Sequence, residues 1–323
     1  MYKDHSVAVV VPAYNEELLI GRVVETMPGL VDAMFIVDDC STDRTNEIVR
    51  KYREADPRVR LITHEVNRGL GQTLIDGYQA AYDAGFDVVA VMAGDAQMSP
   101  DDLVPIIDPI ATGAAHYSKG NRLLRDEVID RMPRYRFFGN SLLTLLTKFA
   151  TGYWHIIDPQ CGYTAISHTA LGRIPIEEMT KGYGYNADIL NMLNLQNVRV
   201  ADVEVEPVYG EEQSKIKLGR YTVNTSLLLL RLFVRRLWRK YLVRQFHPLV
   251  FFYAFSLLTT FFMVVPLSIR FVALYLREGV APSTTLILLT FTSMMAFFSL
   301  FFAMWMDMED NRRLVPSPAL LHE

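Results

Sequence analysis

The chain has 323 residues, with 32 basic and 36 acidic side chains, a net charge of −4 at pH 7 and 50% hydrophobic residues. This balance excludes a globally basic nucleic-acid binder, and without low-complexity or collagen-like tracts the disordered and fibrous classes are excluded too. The mean hydropathy of +0.14 hides an uneven distribution: only Arg270, Arg277 and Glu278 are charged among the 62 residues 245–306, whereas 21% of the whole chain is charged.

A β-branched run at 7–11 ends at Pro12, and residues 16–27 then place Leu19, Ile20, Val23, Val24 and Met27 at helical spacing. The unit recurs as strand 34–37 with helix 43–52, strand 59–62 with helix 71–82, and strand 88–92 with helix 101–110. Four βα units predict an α/β domain whose mostly parallel sheet is covered on both faces. The apolar run at 7–11 is too short for a signal peptide, and Cys40 and Cys161 lie outside any Cys-x-x-Cys or Cys/His cluster. The expectation is a reducing, cytosolic setting for this domain, with neither a disulfide framework nor a structural zinc.

Residues 223–246 interleave Leu, Phe and Trp with Arg231, Arg235, Arg236, Arg239, Lys240 and Arg244, the pattern of a basic amphipathic helix lying in a membrane interface. Two apolar stretches, about 249–276 and 284–306, are each long enough to cross a bilayer core of roughly 30 Å. The basic residues before the first stretch, with Arg312 and Arg313 after the second, put both flanks in the cytosol by the positive-inside asymmetry. The expected domains are a cytosolic globular part at 1–222, an interfacial helix at 223–246, a transmembrane hairpin at 247–306 and a cytosolic tail at 307–323.

Ligands on open α/β sheets bind beyond the carboxyl ends of the strands, and chemistry-bearing residues gather there. Strand one is followed by Pro12-Ala13-Tyr14-Asn15-Glu16, strand two by Asp38-Asp39, strand three by Asn67-Arg68-Gly69 and strand four by Gly94-Asp95-Ala96-Gln97. The helix after Asp38 and Asp39 has its own cap candidates at 41–45, so the acid pair points to ligand binding. Such a carboxylate can accept hydrogen bonds from a base or a ribose hydroxyl. No Gly-x-Gly-x-x-Gly follows the first strand, so a nucleotide would be held differently from a dinucleotide. Asp95 and Gln97, two apart on one turn, suit a hard divalent cation bridging a diphosphate. His64, His155 and His168 have no partners in the sequence and read as structural residues.

As an ordered set, VPAYNEE, IVDDCSTD, NRGLGQTLIDGYQAA and GDAQMSPDDL resemble the inverting, GT-A fold family 2 glycosyltransferases. The later KGNR, DPQCGY and GEEQSK segments resemble their dolichyl-phosphate mannose synthase and polyprenyl-phosphate glycosyltransferase branch, and the likeness spans about residues 6–220. The resemblance implies that Pro12, Tyr14, Glu16, Asp38 and Asp39 cradle a nucleotide-diphosphate sugar, with Arg68 a looser candidate, and that Asp95 and Gln97 hold Mg2+ or Mn2+. It further implies that Arg122 and Lys215 face acceptor or donor phosphates, with Asp95 and Arg122 taking part in catalysis. Asp158 would either orient substrate or cap a turn. One departure stands out: the family's Asp-x-Asp-x-Gln reads Ala93-Gly94-Asp95-Ala96-Gln97 here, and the loss of one oxygen ligand is expected either to weaken metal binding or to hand that position to water.

A hydroxyl acceptor needs a carboxylate base, whereas a lipid monophosphate is already largely ionised near pH 7. In Tyr183-Gly184-Tyr185-Asn186-Ala187-Asp188, Asn186 stands where hydroxyl-transferring relatives often keep an acid, leaving Asp188 as the one nearby catalytic candidate. With Arg122, Lys215 and Lys217 as cations, the reading favours a polyprenyl or dolichyl phosphate acceptor at the bilayer. The Gln-x-x-Arg-Trp motif of processive synthases does not occur, which favours a single transfer. Transfer to a hydroxyl of a membrane glycolipid, and a non-catalytic nucleotide-binding membrane scaffold, stay open. Nucleic acid is not an expected partner, and the sequence sets no oligomeric state.

Overall fold

The computed structural model describes residues 1–123, 134–182, 184–206 and 218–316, with backbone only at 134–138, 140 and 218–223. Contacts divide the chain into two units, Met1–Val234 with Arg313–Glu323, and Arg235–Arg312.

The first unit is built on one seven-stranded sheet in the order β3-β2-β1-β4-β6-β5-β7. The strands are β1 (Val7–Ala13), β2 (Ala33–Asp38), β3 (Val59–Thr63), β4 (Val88–Val91), β5 (Tyr117–Asn121), β6 (Thr164–Ser167) and β7 (Val200–Glu204). Among the helices of its first half are α1 (Ile20–Glu25), α2 (Thr45–Ala55), α3 (Leu70–Asp83) and α4 (Leu103–Ala111). Further along come α5 (Arg134–Thr151), α6 (His168–Leu171), α7 (Tyr185–Leu195) and α8 (Leu218–Arg236), the last of which crosses the unit boundary.

Strand periodicity assigns the two layers. Ala8 and Val10 of β1 pack with Leu74, Ile75 and Tyr78 of α3. Val7, Val9 and Val11 pack with Ile20 and Val24 of α1, Val49 of α2 and Ile106 of α4. A strand covered on both sides is an unbroken apolar run, which is why β1 reads as one. The four expected βα units are present, but α1 is shorter than residues 16–27 because the segment before Leu19 belongs to the loop after β1. The sheet is mixed rather than wholly parallel, since β6 runs antiparallel to both β4 and β5.

Register aligns the strand ends. Ala13 pairs with Asp38, Asp38 with Thr63, and Val10 with Val91. Residues that follow β1, β2, β3 and β4 therefore emerge along one rim.

In the second unit, two helices are long and apolar enough to cross a bilayer, Leu249–Glu278 and Ser283–Leu314. The first consists of α9 (Leu249–Thr259), a π-helical turn at Thr260–Val264 and α10 (Val265–Glu278). Pro266 offers no N–H to the ladder, and the π turn stands immediately before it, where the helix has to absorb the missing bond. Gly279, at φ +68, ends α10 in the left-handed region. The second helix, α11 (Ser283–Asn311), runs past the expected end of its span and accepts a bond from Ser256 Oγ at the Ala296 carbonyl, 2.8 Å.

The basic segment before the spans does not present all its charge to a surface. Arg236 grips Asp307 with two bonds, 2.6 and 2.7 Å, and neither side chain is exposed. Tyr241 and Asn311 also donate to Asp307, while Lys240 donates to Asn311 and pairs with Asp310. A carboxylate removed from water is tolerated only with such a set of donors, and removing it strands the guanidinium. The substitution Asp307→Ala is therefore expected to destabilise the full-length protein by about 3–5 kcal/mol, read as a lowered unfolding midpoint in detergent, whereas Arg239→Ala, on an exposed residue, leaves the midpoint nearly unchanged.

Candidate active site

The loops after β1 and β2 are laced together. Asn15 adopts φ +57, its Oδ1 accepts the Thr42 N–H (2.8 Å) and its own N–H reaches Ser41 Oγ (2.9 Å). Glu16 N–H donates to Thr45 Oγ1 at 2.8 Å, and Glu17 N–H to Asp43. Cys40 (φ +62) and Ala96 (φ +53) are also left-handed, so three loops on this rim each hold a non-glycine residue in a sparsely populated backbone region. Gly94 N–H donates to the Pro12 carbonyl at 3.0 Å, which brings the loop after β4 against the end of β1.

Between these loops lies a pocket of about 660 Å³, lined by Pro12, Tyr14, Glu16, Asp39, Asn67, Gly69, Thr73, Ala93, Gly94, Asp95 and Gly182 among others. Pro12, Tyr14, Glu16, Asp39 and Asp95, gathered from three strand ends, share this one cavity. Asp39, only 4% exposed, is its structural centre. Its Oδ1 accepts from His64 Nδ1 (2.7 Å) and the Arg68 N–H (2.8 Å), and its Oδ2 accepts from the Gly69 N–H (2.8 Å). Those bonds fix the turn at 67–69, where Gly69 takes φ +86, and so fix the start of α3. The next residue of consequence is Gly71, whose N–H donates to the Lys181 carbonyl at 2.9 Å; a Cβ there would collide with the Thr180 carbonyl oxygen.

Other residues singled out in the sequence do not line the pocket. Asp38 belongs to the opposite face of β2: its Oδ1 accepts from the Ser41 N–H and its Oδ2 from Asn46, so it organises the β2–α2 turn rather than forming a ligand pair with Asp39. Arg68 contributes its backbone to Asp39, while its guanidinium turns to Asp76 at 3.3 Å. Gln97 sits outside the lining, its N–H donating to Asp95 Oδ1 at 3.0 Å. Asp188 is buried and accepts from both the N–H (2.9 Å) and the hydroxyl (2.6 Å) of Thr180, a task that holds the 180–182 wall rather than reaching into the pocket. Lys215, Lys217 and Tyr183 lie outside the described residues.

A second cluster forms at the ends of β5 and β7. Arg122 binds the buried carboxylate of Asp158 through Nε (2.8 Å) and an Nη (3.3 Å). Burial would raise the Asp158 pKa, but the bonds and charge of Arg122 outweigh it and hold the group below 3.8. Lys119 is fully buried, donating to the Cys161 carbonyl and to Asn186 Oδ1 (3.1 Å), and burial lowers its pKa to about 8. Asp202 accepts from Asn121 (2.6 Å) and the Ile157 N–H (3.3 Å), and its Oδ1 is buried with no hydrogen-bond partner among the described residues. Burial raises Asp202 to about 6. Lys119 and Asp202 were not singled out in the sequence; the signal available was a strand, YSKGN, whose polar residues are all buried.

The donor set bears on a divalent ion. Among the described residues no group of three or more His, Cys, Asp or Glu side chains is arranged to hold a metal ion by itself. Asp95 stands at the pocket wall and Ala93 beside it offers only a methyl group. That set fits Mg2+ or Mn2+ in the manner of sites that use one or two carboxylates and take their remaining oxygens from water and substrate phosphates.

Comparison with known proteins shows the family and the fold. The model of glycosyl transferase family 2 matches residues 8–174. The chain belongs to that family, and it is a glycosyltransferase with a GT-A domain. It is 29% identical over 221 residues to the UDP-N-acetylglucosamine–dolichyl-phosphate N-acetylglucosaminyltransferase of Methanococcus voltae, covering 64% of this chain and 88% of that one. It is 25% identical over 229 residues to the undecaprenyl-phosphate mannosyltransferase of Micrococcus luteus, covering 68% and 92%. Glucosyl-3-phosphoglycerate synthase of Mycobacterium tuberculosis, solved with Mn2+, UDP and glucosyl-3-phosphoglycerate, shares the fold, with a TM-score of 0.55 and 21% identity over 72% of this chain and 81% of that one.

Two outcomes test the site. Gly71→Ala has to push the 180–182 wall aside and is expected to weaken nucleoside diphosphate binding about tenfold, roughly 1.4 kcal/mol, by calorimetry. A carboxyl whose pKa is raised on folding contributes stability that is complete below its unfolded value near 3.8 and is lost as pH rises through about 6. Asp202→Asn, neutral throughout, should therefore gain on the wild type in melting temperature between about pH 4 and about pH 6 and keep that gain just above it; an unchanged difference contradicts the assignment.

Proposed function

We propose that the protein transfers one sugar, with inversion, from a nucleotide-diphosphate sugar to a polyprenyl or dolichyl phosphate at a membrane surface. The observation that carries the reading is the convergence of Tyr14, Glu16, Asp39 and Asp95 on one pocket at the ends of three parallel strands. In support, both relatives named above are sugar transferases to lipid phosphates by their names. The expected topology places residues 1–222 in the cytosol and the spans near 249–276 and 284–306 in the bilayer, and the two long apolar helices agree with an anchor.

In this reading Asp39 and the 67–69 turn receive the nucleoside, while Asp95, with Gln97 behind it, faces the diphosphate. Bound Mg2+ or Mn2+ would offset the charge growing on the departing diphosphate. Arg122, held in place by Asp158, offers a planar cation to a phosphate, which is the group that attacks the anomeric carbon from the face opposite the leaving group. No base is needed, because a phosphate monoester oxygen is already ionised. The arrangement around Asn186 and Asp188 favours this acceptor over a hydroxyl: Asn186 carries no acid and is tied to Lys119, and the Asp188 carboxylate is taken up by Thr180.

The test incubates purified protein with nucleotide sugars, Mn2+ and a short polyprenyl phosphate. The expected product is an acid-labile lipid-linked sugar phosphodiester whose formation depends on the lipid; donor cleavage indifferent to the lipid, or an acid-stable glycoside, contradicts it. Asp95→Asn is expected to lower turnover about 100-fold or more, given the size of effects when transition-state charge loses a stabilising group, with an unchanged melting temperature.

A further inference from the structure

We propose that His64 is a positioning residue for the donor site, fixing the Asp39 carboxylate through Nδ1 in the orientation that a bound nucleoside meets; this rests on the reading of the rim as a nucleotide-sugar site. His64 follows β3 and is 6% exposed. Its ring bridges two carboxylates, with Nδ1 2.7 Å from Asp39 Oδ1 and Nε2 2.8 Å from Asp76 Oδ2. Asp76, on α3, is itself held by Gln72 Nε2 (2.9 Å) and the Arg68 guanidinium (3.3 Å). The imidazole is thus a strut with both ends pinned, running from helix α3 to the carboxylate in the pocket wall.

The other donors to Asp39 cannot replace it. The Arg68 and Gly69 amides come from adjacent residues of one turn, which Asp39 itself holds in place. Carboxylate torsions are broad and roughly two-fold, so without a bond from a separate element the group and the turn can pivot together. His64 supplies that bond from the end of β3, whose backbone is already paired to β2: its N–H donates to the Asp38 carbonyl at 2.9 Å. The nucleoside would then meet a carboxylate whose direction is set before binding.

Side-chain shape separates positioning from packing. An asparagine amide nitrogen can occupy the place of Nδ1, and a glutamine amide nitrogen that of Nε2. Isothermal titration of the full-length protein with UDP and with GDP, each with Mn2+, compares wild type, His64→Asn and His64→Gln. The expected result is affinity within about threefold of wild type for His64→Asn and about tenfold or more weaker for His64→Gln. In the transfer assay, His64→Gln should raise KM for the donor while kcat at saturation stays within about threefold. Equal affinities for the two variants, or the reverse order, overturn the proposal. Should both His64 variants fail to fold, Asp76→Ala removes the far anchor without touching Asp39; weaker binding supports the strut, and unchanged binding overturns it. A wild type that binds neither UDP nor GDP overturns the donor-site reading, and the proposal with it; a wild type that binds while the variants are indistinguishable overturns the proposal alone.

Discussion

A buried carboxylate is tolerated in a protein interior only if donors surround it, and at Asp39 that requirement organises the molecule's working edge. Three donors reach it from the ends of β3 and the turn before α3. Because they come from different elements, satisfying one charge fixes the entry to α3, the left-handed Gly69 and the closeness of Gly71 to the 180–182 segment. The pocket wall follows from this local need.

The rest of the sheet meets the same need differently. Beyond β4 the polar strand β5 carries Lys119 and Asn121 into the interior, and the network through Asn186, Asp202, Asp158 and Arg122 compensates them. One half of the edge thus presents carboxylates suited to a nucleotide and its cation. The other presents an arginine braced by an acid, suited to a phosphate. The reversed strand β6 joins the two halves within one sheet.

Much of this was legible in the residues, for reasons that can be stated. Unbroken β-branched runs locate β1, β2 and β4, and the rule that ligands sit beyond strand ends selects Tyr14, Glu16, Asp39 and Asp95. Period-two alternation even separates the acid pair: Asp38 shares a face with Met34 and Ile36, towards α1 and α2, and Asp39 continues the face of Phe35 and Val37, towards α3. Taking the two as a joint ligand ignored that alternation. What could not be read were partners remote in sequence. His64 looks solitary until the fold brings it between Asp39 and Asp76. Asp188 looks like a catalytic acid until Thr180 is beside it, and Arg236 looks like a lipid-facing cation until Asp307, 71 residues on, closes around it. The β5, β6 and β7 strands were missed: buried Lys and Asn in β5 and half-buried Asp in β7 break the apolar pattern that marks the others, and β6 is only four residues long.

The most direct measurement is an experimental structure of the full-length protein with a nucleoside diphosphate and Mn2+, the metal located by its anomalous signal. The account predicts the nucleoside against Asp39 and the 67–69 turn, with the diphosphate and the metal at Asp95. A nucleotide bound away from the ends of β1, β2 and β4, or a metal remote from Asp95, would contradict it.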